Sequence, residues 1–355
     1  MMTLRQLLKL AIDQGASDVH ITVGTPPQLR IDGILVRVRA EALDPAECKN
    51  LCYSLLTDEQ KSRFEETKEL DLSFGVKGMA RFRANLFYQR GCVAGALRRI
   101  PTDIPDIKSL GLPPIVGEFT KFHNGLVLVT GPTGSGKTTT IASLIDKINV
   151  EERGHIMTIE DPIEYIHAHK KCIVNQRELG QDTWAFKTAL KHILRQDPDY
   201  CLIGELRDLE TIETALTIAE TGHLVFGTLH TNSAIQTVSR LVSVFDGGQR
   251  ERIRSLLSFV LQGIVCQQLL PNVAGGRSLA LEVLVMTPAV RNLIREDKLH
   301  QVQSQMQTGQ TKSGMMTMNQ SLLSLLLRRK IEMKTAFGAS PEPEELDILL
   351  KKAGI

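Results

Sequence analysis

The chain has 355 residues, of which 42% are hydrophobic and 23% charged, a composition typical of a globular protein with room for two domains. Its formal net charge of +2 is close to neutral, which argues against a nucleic-acid-binding protein with a broad basic surface. The amphipathic start of the chain does not resemble a signal peptide, and no apolar run of about 18 residues predicts a transmembrane helix.

The cysteines indicate a reducing compartment. All six are scattered and none belongs to a Cys-x-x-Cys pair. Cys48 and Cys52 lie four residues apart on a predicted helix, a spacing that suits a metal, but no second pair of ligands lies nearby. We therefore expect buried thiols in a cytoplasmic protein, which could still dock on a membrane complex.

Residues 1–100 predict a small α+β domain. Hydrophobic periodicity and turn residues indicate a helix at 4–12, a strand at 19–23, a hairpin at 29–38 that turns at Asp32-Gly33, a helix at 44–56, and antiparallel strands at 80–89 and 93–98. Prolines then become dense between residues 101 and 114, where they exclude helix and central strand. We expect a linker there, and a second domain at 115–355.

From residue 125 onward, short apolar strands alternate with helices, the pattern of a mostly parallel α/β sheet. The predicted strands are 125–130, 155–159, 200–204, 224–229 and 281–286. The predicted helices are 137–149, 184–195, 209–220 and 251–270, followed by a helical region after about residue 313.

A phosphate-binding loop follows the first of these strands. Its residues are Gly131, Pro132, Thr133, Gly134, Ser135, Gly136, Lys137 and Thr138, with Thr139 next on the helix. The glycines allow backbone N–H groups to converge on phosphate oxygens, and the start of the helix adds partial positive charge. Lys137 would reach the β- and γ-phosphates, and the Thr138 hydroxyl would ligate Mg²⁺. The alternative, a glycine-rich turn without a ligand, does not explain the full pattern between a strand and a helix.

Polar residues follow three further strands of the predicted sheet. Glu160-Asp161-Pro162-Ile163-Glu164 comes after one strand, Glu205-Leu206-Arg207-Asp208 after the next, and His230-Thr231 after a third. The carboxyl ends of parallel strands meet at one edge of a sheet, where ligands bind. We therefore expect these groups to face the phosphate-binding loop, although any one of them alone could be a helix cap or a surface charge.

These runs resemble named motifs of the secretion ATPases, the superfamily that drives type II secretion and type IV pili. Residues 158–164 look like the Asp box, 203–208 like the Walker B motif and 221–231 like the His box. Within the superfamily, the chain is similar to the type IV pilus retraction ATPases over nearly its whole length. Residues 288–296 resemble their C-terminal signature, with Val290 in place of the usual isoleucine.

The resemblance implies a homohexamer of two-domain subunits, each with a PAS-like N-terminal domain and a RecA-like ATPase domain that binds ATP and Mg²⁺. Glu164 matches the water-activating glutamate and Glu205 the Walker B glutamate near Mg²⁺. His230, and also His223, match nucleotide-sensing residues of the His box. Glu160 is a further candidate ligand for Mg²⁺. The expected partners are an inner-membrane pilus platform protein at the cytoplasmic face of the membrane and an accessory retraction ATPase, with no nucleic acid involved.

Two arginines of the N-terminal domain are further candidates for the same site. Alternation in Arg81-Phe82-Arg83-Ala84-Asn85-Leu86 would place Arg81 and Arg83 on one face of a strand. On alternation alone this is a solvated basic edge. The family resemblance instead implies arginines that neutralise charge on the γ-phosphate, across a subunit boundary or within one subunit.

Other functions agree with parts of the sequence. A pilus-extension or type II secretion ATPase usually carries a four-cysteine zinc module and a longer N-terminal region, neither of which is present here. An accessory retraction ATPase, which assists a main motor, fits the same residues. A nucleic-acid translocase is disfavoured by the near-neutral charge. A nucleotide-gated scaffold that does not hydrolyse ATP would not need Glu164 and Glu205.

Overall fold

The computed structural model describes residues 2–31, 33–76, 79–101 and 103–354, without the side chains of 310–312. Asp32, half of the predicted hairpin turn, lies outside the described residues. The chain divides into two compact units, one of Met1–Asp103 with Glu164–Ile166 and one of Ile104–Ile163 with His167–Ile355. This division falls within the segment that the prolines indicate as a linker.

The first unit is an antiparallel sheet with helices. Its helices are α1 (Leu4–Asp13), α2 (Pro45–Tyr53) and α3 (Asp58–Thr67), and its strands are β1 (Asp18–Ile21), β2 (Gln28–Ile31), β3 (Ile34–Arg37), β4 (Glu69–Val76), β5 (Ala80–Gln89) and β6 (Cys92–Ile100). The strand order is β3-β2-β1-β6-β5-β4. The three helices begin at capping boxes with Thr3, Asp44 and Thr57 as the capping residues, which satisfy backbone N–H groups of the first turn.

Strand β5 has the predicted alternation. Phe82, Ala84 and Leu86 are all at most 1% exposed and pack in the core of this unit. Arg81 is half-buried and Arg83 is exposed on the other face. A side-chain period of two residues therefore places both arginines together, as the sequence predicts.

The second unit is built on a larger sheet with helices. Its strands are β7 (Gly125–Thr130), β8 (His155–Glu160), β9 (Ile173–Glu178), β10 (Tyr200–Ile203), β11 (Leu224–Leu229), β12 (Leu261–Pro271) and β13 (Arg277–Val285). Its helices are α4 (Pro114–Glu118), α5 (Lys137–Glu151), α6 (Phe186–Ile193), α7 (Leu209–Glu220), α8 (Ala234–Ser243), α9 (Arg250–Val260), α10 (Pro288–Arg295), α11 (Val302–Ser313), α12 (Met318–Leu327), α13 (Met333–Ala339) and α14 (Pro343–Ala353), with short 3₁₀ turns at Phe119–Lys121, Gly247–Gln249 and Leu299–Gln301.

The order of the larger sheet is β13-β12-β7-β11-β10-β8-β9. Every pair is parallel except β12 with β13. All six residues of β7 and of β11 are buried, as expected for central strands covered by helices on both faces. The carboxyl ends of β7, β8, β10 and β11 therefore share one edge of the sheet.

The predicted helix at 251–270 is wrong in its second half. Helix α9 ends at Val260, and the chain continues at once as strand β12, which pairs with β7 on one side and β13 on the other. A strand buried on both faces is a continuous apolar run, and periodicity alone does not separate such a run from a buried helix. Strand β9, whose last four residues are polar, is absent from the sequence prediction.

The cysteines fit the expectation of buried thiols in five of six cases. Cys92 is half-buried, and all six are free thiols. Burial raises the pKa of Cys201 to about 12, so this thiol stays protonated at neutral pH. Among the described residues, no helix has both the length and the apolar character needed to cross a lipid bilayer.

Candidate active site

The phosphate-binding loop lies between β7 and α5. Gly131 has φ of 140° and Gly136 has φ of 89°, values that favour glycine. A Cβ on Gly131 would lie 2.3 Å from the Gln267 carbonyl oxygen, so only glycine fits at this contact. Gly136 is the N-cap residue of α5 and provides no side-chain cap. The first turn of α5 therefore presents backbone N–H groups that suit an anion.

Lys137 is held against the loop. It is 8% exposed, and its Nζ donates to the carbonyl oxygens of Gly131 at 2.7 Å and Pro132 at 3.1 Å. Thr138 and Thr139, the next two residues of α5, are half-buried. An ammonium beside the first turn of a helix suits phosphate oxygens, and the contact of Lys137 with the β- and γ-phosphates stays a prediction.

Gln267 on β12 supports the phosphate-binding loop through a hydrogen bond. The sequence did not predict this residue. It is 1% exposed, its Nε2 donates to the Ser135 carbonyl oxygen at 3.0 Å, and a Cβ on Gly136 would lie 3.3 Å from the same Nε2. Its Oε1 and the Ser135 hydroxyl are buried without a hydrogen-bond partner among the described residues. The sequence did carry a signal for this contact: Gln267 and Gln268 lie next to each other in a mostly apolar run. A buried amide needs a hydrogen-bond partner, so a glutamine in such a run indicates a specific contact.

Glu205 follows β10 and lies between two basic side chains. Its Oε2 accepts from Arg207 Nε at 2.8 Å, and its Oε1 lies 3.2 Å from His230 Nε2. Arg207 Nη1 also lies 3.4 Å from Asp161 Oδ2. The hydrogen bond to Glu205 raises the pKa of the Arg207 guanidinium. Residues that follow β8, β10 and β11 therefore meet in one polar cluster, as their positions at the strand ends predict.

Glu160 ends β8 and is 6% exposed. Its Oε1 accepts from the Thr158 hydroxyl at 2.6 Å and from Gln176 Nε2 at 3.1 Å. These donors satisfy a buried carboxylate that would otherwise be costly. Glu160 is therefore hydrogen-bonded to its neighbours on β8 and β9. Its role as a ligand for Mg²⁺ stays a prediction.

The structure does not bring His223 to this edge. His223 precedes β11, and its Nδ1 lies 3.1 Å from the Ile218 carbonyl oxygen. Strand β11 lies between His223 and His230, and the seven residue steps from one to the other correspond to roughly 23 Å at a strand rise of about 3.3 Å per residue. Within one subunit, His223 therefore lies at the amino edge of the sheet, opposite the edge that carries the phosphate-binding loop.

Glu164 is exposed and lies one residue beyond the buried Ile163. In the first unit, Arg83 Nη2 lies 3.8 Å from Asp71 Oδ1. Arg81 Nε is buried without a hydrogen-bond partner among the described residues. The roles of Glu164, Arg81 and Arg83 at the nucleotide stay predictions.

The signature segment 288–296 contains α10, whose Arg291 caps α9. Its Nη1 donates to the carbonyl oxygens of Ser258 at 2.6 Å and Phe259 at 2.9 Å, and its Nη2 donates to Gln262 Oε1 at 2.9 Å. Burial lowers the pKa of Arg291. A guanidinium on the last carbonyls of a helix satisfies groups that have no partner within the helix, so this arginine holds the junction of α9 and β12.

The chain is similar in sequence to known proteins over almost its full length. It is 46% identical over 343 residues to the type IV pilus retraction ATPase PilT of Pseudomonas aeruginosa, covering 97% of this chain and 99% of that protein. It is 39% identical over 351 residues to the type IV pilus ATPase PilU of the same organism, covering 99% and 92%.

A solved structure also matches closely. The crystal structure of the pilus retraction motor PilT with bound ADP aligns with a TM-score of 0.93 and 53% identity, covering 98% of this chain and 100% of that chain. The predicted fold class, a RecA-like ATPase domain with a smaller PAS-like α+β domain, is confirmed. The model of the type II/IV secretion system protein family matches residues 1–331, and the chain belongs to that family.

Proposed function

We propose that this chain hydrolyses ATP and is the motor subunit that powers type IV pilus retraction. The observation that carries the proposal is the convergence of the phosphate-binding loop with the polar residues that follow β8, β10 and β11 at one edge of the sheet. Sequence similarity to PilT over nearly the whole chain supports the choice of retraction among the activities of the family.

The loop binds the phosphates of ATP. Backbone N–H groups from Gly134 to Thr138 and the ammonium of Lys137 neutralise negative charge on the β- and γ-phosphates. Negative charge on the β-phosphate grows as its bond to the γ-phosphoryl group breaks, so these donors stabilise the transition state. Gln267 keeps the loop in this shape through the Ser135 carbonyl oxygen. A loop already formed before binding loses little entropy when the nucleotide arrives.

Glu164 is the residue that orients and polarises the attacking water. A carboxylate can accept a proton from water as the new P–O bond forms, and a positioned general base contributes about 10²–10⁴-fold in rate. Glu205, held by Arg207 and near His230, keeps its orientation through those contacts. His230 would then exchange its contact with Glu205 for another when hydrolysis removes the charge of the γ-phosphate.

The donor set fits Mg²⁺. Thr138 and Glu205 supply the hydroxyl and carboxylate oxygens that this ion prefers, with Glu160 as a further candidate, and the lysine and N–H groups of the loop complete a site for a triphosphate. Held by these residues, Mg²⁺ would supply positive charge that stabilises the negative charge on the phosphates during hydrolysis.

The motor acts as a homohexamer. Movement between the two units during the hydrolysis cycle would be passed to an inner-membrane platform protein at the cytoplasmic face, and so to the pilus. An accessory retraction ATPase is the second candidate, because the chain also resembles PilU over 99% of its length.

The test is steady-state ATP hydrolysis by the purified chain and its variants. We expect Glu164→Gln to lower kcat by about 100-fold or more while ATP binding is retained, because only the water-activating group is lost. The matched control is Glu213→Gln on α7, an exposed glutamate, which we expect to hydrolyse ATP at the wild-type rate. Equal kcat values for Glu164→Gln and wild type would remove Glu164 from this role.

A further inference from the structure

Two side chains of β9 hold the loop that carries Glu164 at both of its ends. The Ile163 N–H donates to Glu178 Oε2 at 3.2 Å, and the His167 N–H donates to Gln176 Oε1 at 2.8 Å. Gln176 and Glu178 are two residues apart on a strand, so their side chains lie on the same face of β9. The two hydrogen bonds bracket the three residues from Glu164 to Ile166.

Both anchoring side chains are themselves fixed. Glu178 is 4% exposed, and its Oε1 accepts from Gln181 Nε2 at 2.9 Å while its backbone N–H donates to Asp182 Oδ2 at 2.8 Å. Gln176 Nε2 donates to Glu160 Oε1 at 3.1 Å. Side chains locked by further hydrogen bonds hold their partners in one orientation.

We propose that Gln176 and Glu178 are positioning residues that aim Glu164 at the attacking water. This inference rests on the proposed role of Glu164 in hydrolysis. Glu178 fixes the peptide N–H of the residue just before Glu164, and Gln176 fixes the chain three residues after it. Neither side chain is expected to contact ATP, so both act through the backbone of the loop.

The consequence is a loss of rate without a loss of nucleotide affinity. In the proposed function the phosphates are bound by the loop at 131–138, which Gln267 of β12 supports through the Ser135 carbonyl oxygen. Without Glu178, the buried N–H of Ile163 would have no acceptor, and because this is unfavourable the loop would shift to find one. A displacement of about 1 Å in a catalytic group can cost about 100-fold in rate. A defect of this kind lowers kcat and leaves KM unchanged.

The experiment compares kcat, KM for ATP and ADP affinity in Glu178→Ala, Glu178→Gln and Gln176→Ala. We expect Glu178→Ala and Gln176→Ala each to lower kcat by about 10–100-fold with KM and ADP affinity nearly unchanged. Glu178→Gln should keep most of the activity, because its amide oxygen can accept from Ile163 and the Gln181 amide can turn to match the new NH₂ group.

A matched control separates positioning from stability. Val174 lies on the same face of β9 and is 5% exposed, so Val174→Ala removes buried volume without touching either hydrogen bond. We expect this variant to lose thermal stability and keep the wild-type kcat. If Glu178→Ala does not fold, Gln176→Ala tests the other end of the loop on its own.

The double variant Glu164→Gln/Glu178→Ala distinguishes the two proposals. We expect it to be no slower than Glu164→Gln alone, because Glu178 acts through Glu164. If Glu164→Gln hydrolyses ATP normally, the proposed catalytic role is wrong and the positioning role falls with it. If Glu164→Gln is slow but Glu178→Ala and Gln176→Ala keep wild-type kcat, or raise KM as much as they lower kcat, the positioning role alone is wrong.

Discussion

His167 is a buried imidazole at the end of the loop that follows β8. It is 7% exposed, and its Nδ1 has no hydrogen-bond partner among the described residues. Burial lowers the pKa of His167 from 6.5 to about 4, with a smaller opposing effect of Asp146 and a further lowering by Lys170. The folded state therefore favours the neutral form of this ring.

The sign of the pH effect follows from the two pKa values. Between pH 6.5 and 4 the unfolded chain binds a proton at His167 that the folded chain does not bind, so this residue destabilises the fold increasingly as the pH falls, by up to about 1.4 kcal/mol per pH unit. We expect urea unfolding of the wild type to lose about 2 kcal/mol more than His167→Leu between pH 7.5 and pH 5. The control is His192→Gln on α6, an exposed histidine, which should follow the wild type. Parallel pH profiles of wild type and His167→Leu would contradict this account.

At the scale of elements, the sequence predicts those strands well that are apolar and are followed directly by polar residues. Strands β7, β8, β10 and β11 all have this form, and they carry the phosphate-binding loop and the residues around Glu205. Strands β9 and β12 do not: the last four residues of β9 are polar, and the mostly apolar run of β12 continues directly from α9, so that periodicity does not separate it from a helix. Gln176, Glu178 and Gln267 lie on these two strands, so the side chains that support the site were missed together with the strands that carry them.

Strand β12 depends on a close contact that only glycine permits. A Cβ on Gly263 would lie 2.3 Å from Cζ and 2.5 Å from Cε1 of Phe119, whose ring is 1% exposed. We expect Gly263→Ala to cost about 1–3 kcal/mol through overpacking and to lower the Tm in thermal unfolding by several degrees. Gly248→Ala is the matched control, since no atom lies within 4 Å of its added Cβ. Adding Phe119→Leu to Gly263→Ala should restore part of the lost stability; a Tm of Gly263→Ala equal to that of Gly248→Ala would show that the ring moves aside freely.

At the scale of the whole molecule, the fold class and the family could be inferred from motifs in their chain order, whereas the positions of single residues required the fold. His223 shows the limit. It belongs to the His-box run in sequence, yet parallel pairing of β11 places it at the amino edge of the sheet, away from His230. Two residues can belong to one sequence motif and still lie at opposite ends of a strand, so the motif alone does not show which of them lies near the nucleotide.

Either Arg81 or Arg83 is expected to complete the nucleotide site in the proposed hexamer. Arg83 already lies near Asp71, whereas Arg81 Nε is buried without a hydrogen-bond partner among the described residues, so we expect Arg81 to be the arginine that acts across a subunit boundary. Arg81→Ala and Glu164→Gln should each abolish most ATP hydrolysis as pure proteins. An arginine supplied in trans would restore activity on mixing, because some boundaries then join an intact Glu164 to an intact Arg81.

The mixing experiment measures ATP hydrolysis after equal amounts of the two variants are dissociated and reassembled. With random assembly in a closed ring, about a quarter of the boundaries carry both intact residues, so activity should return to about that fraction of the wild-type rate. The control is a mixture of Lys137→Ala with Glu164→Gln, in which both defects lie on the nucleotide-binding subunit and no boundary is repaired. If the Arg81 mixture stays as inactive as this control, Arg81 acts within its own subunit or not at the nucleotide at all, and repeating the experiment with Arg83→Ala decides whether Arg83 is the arginine that crosses the boundary.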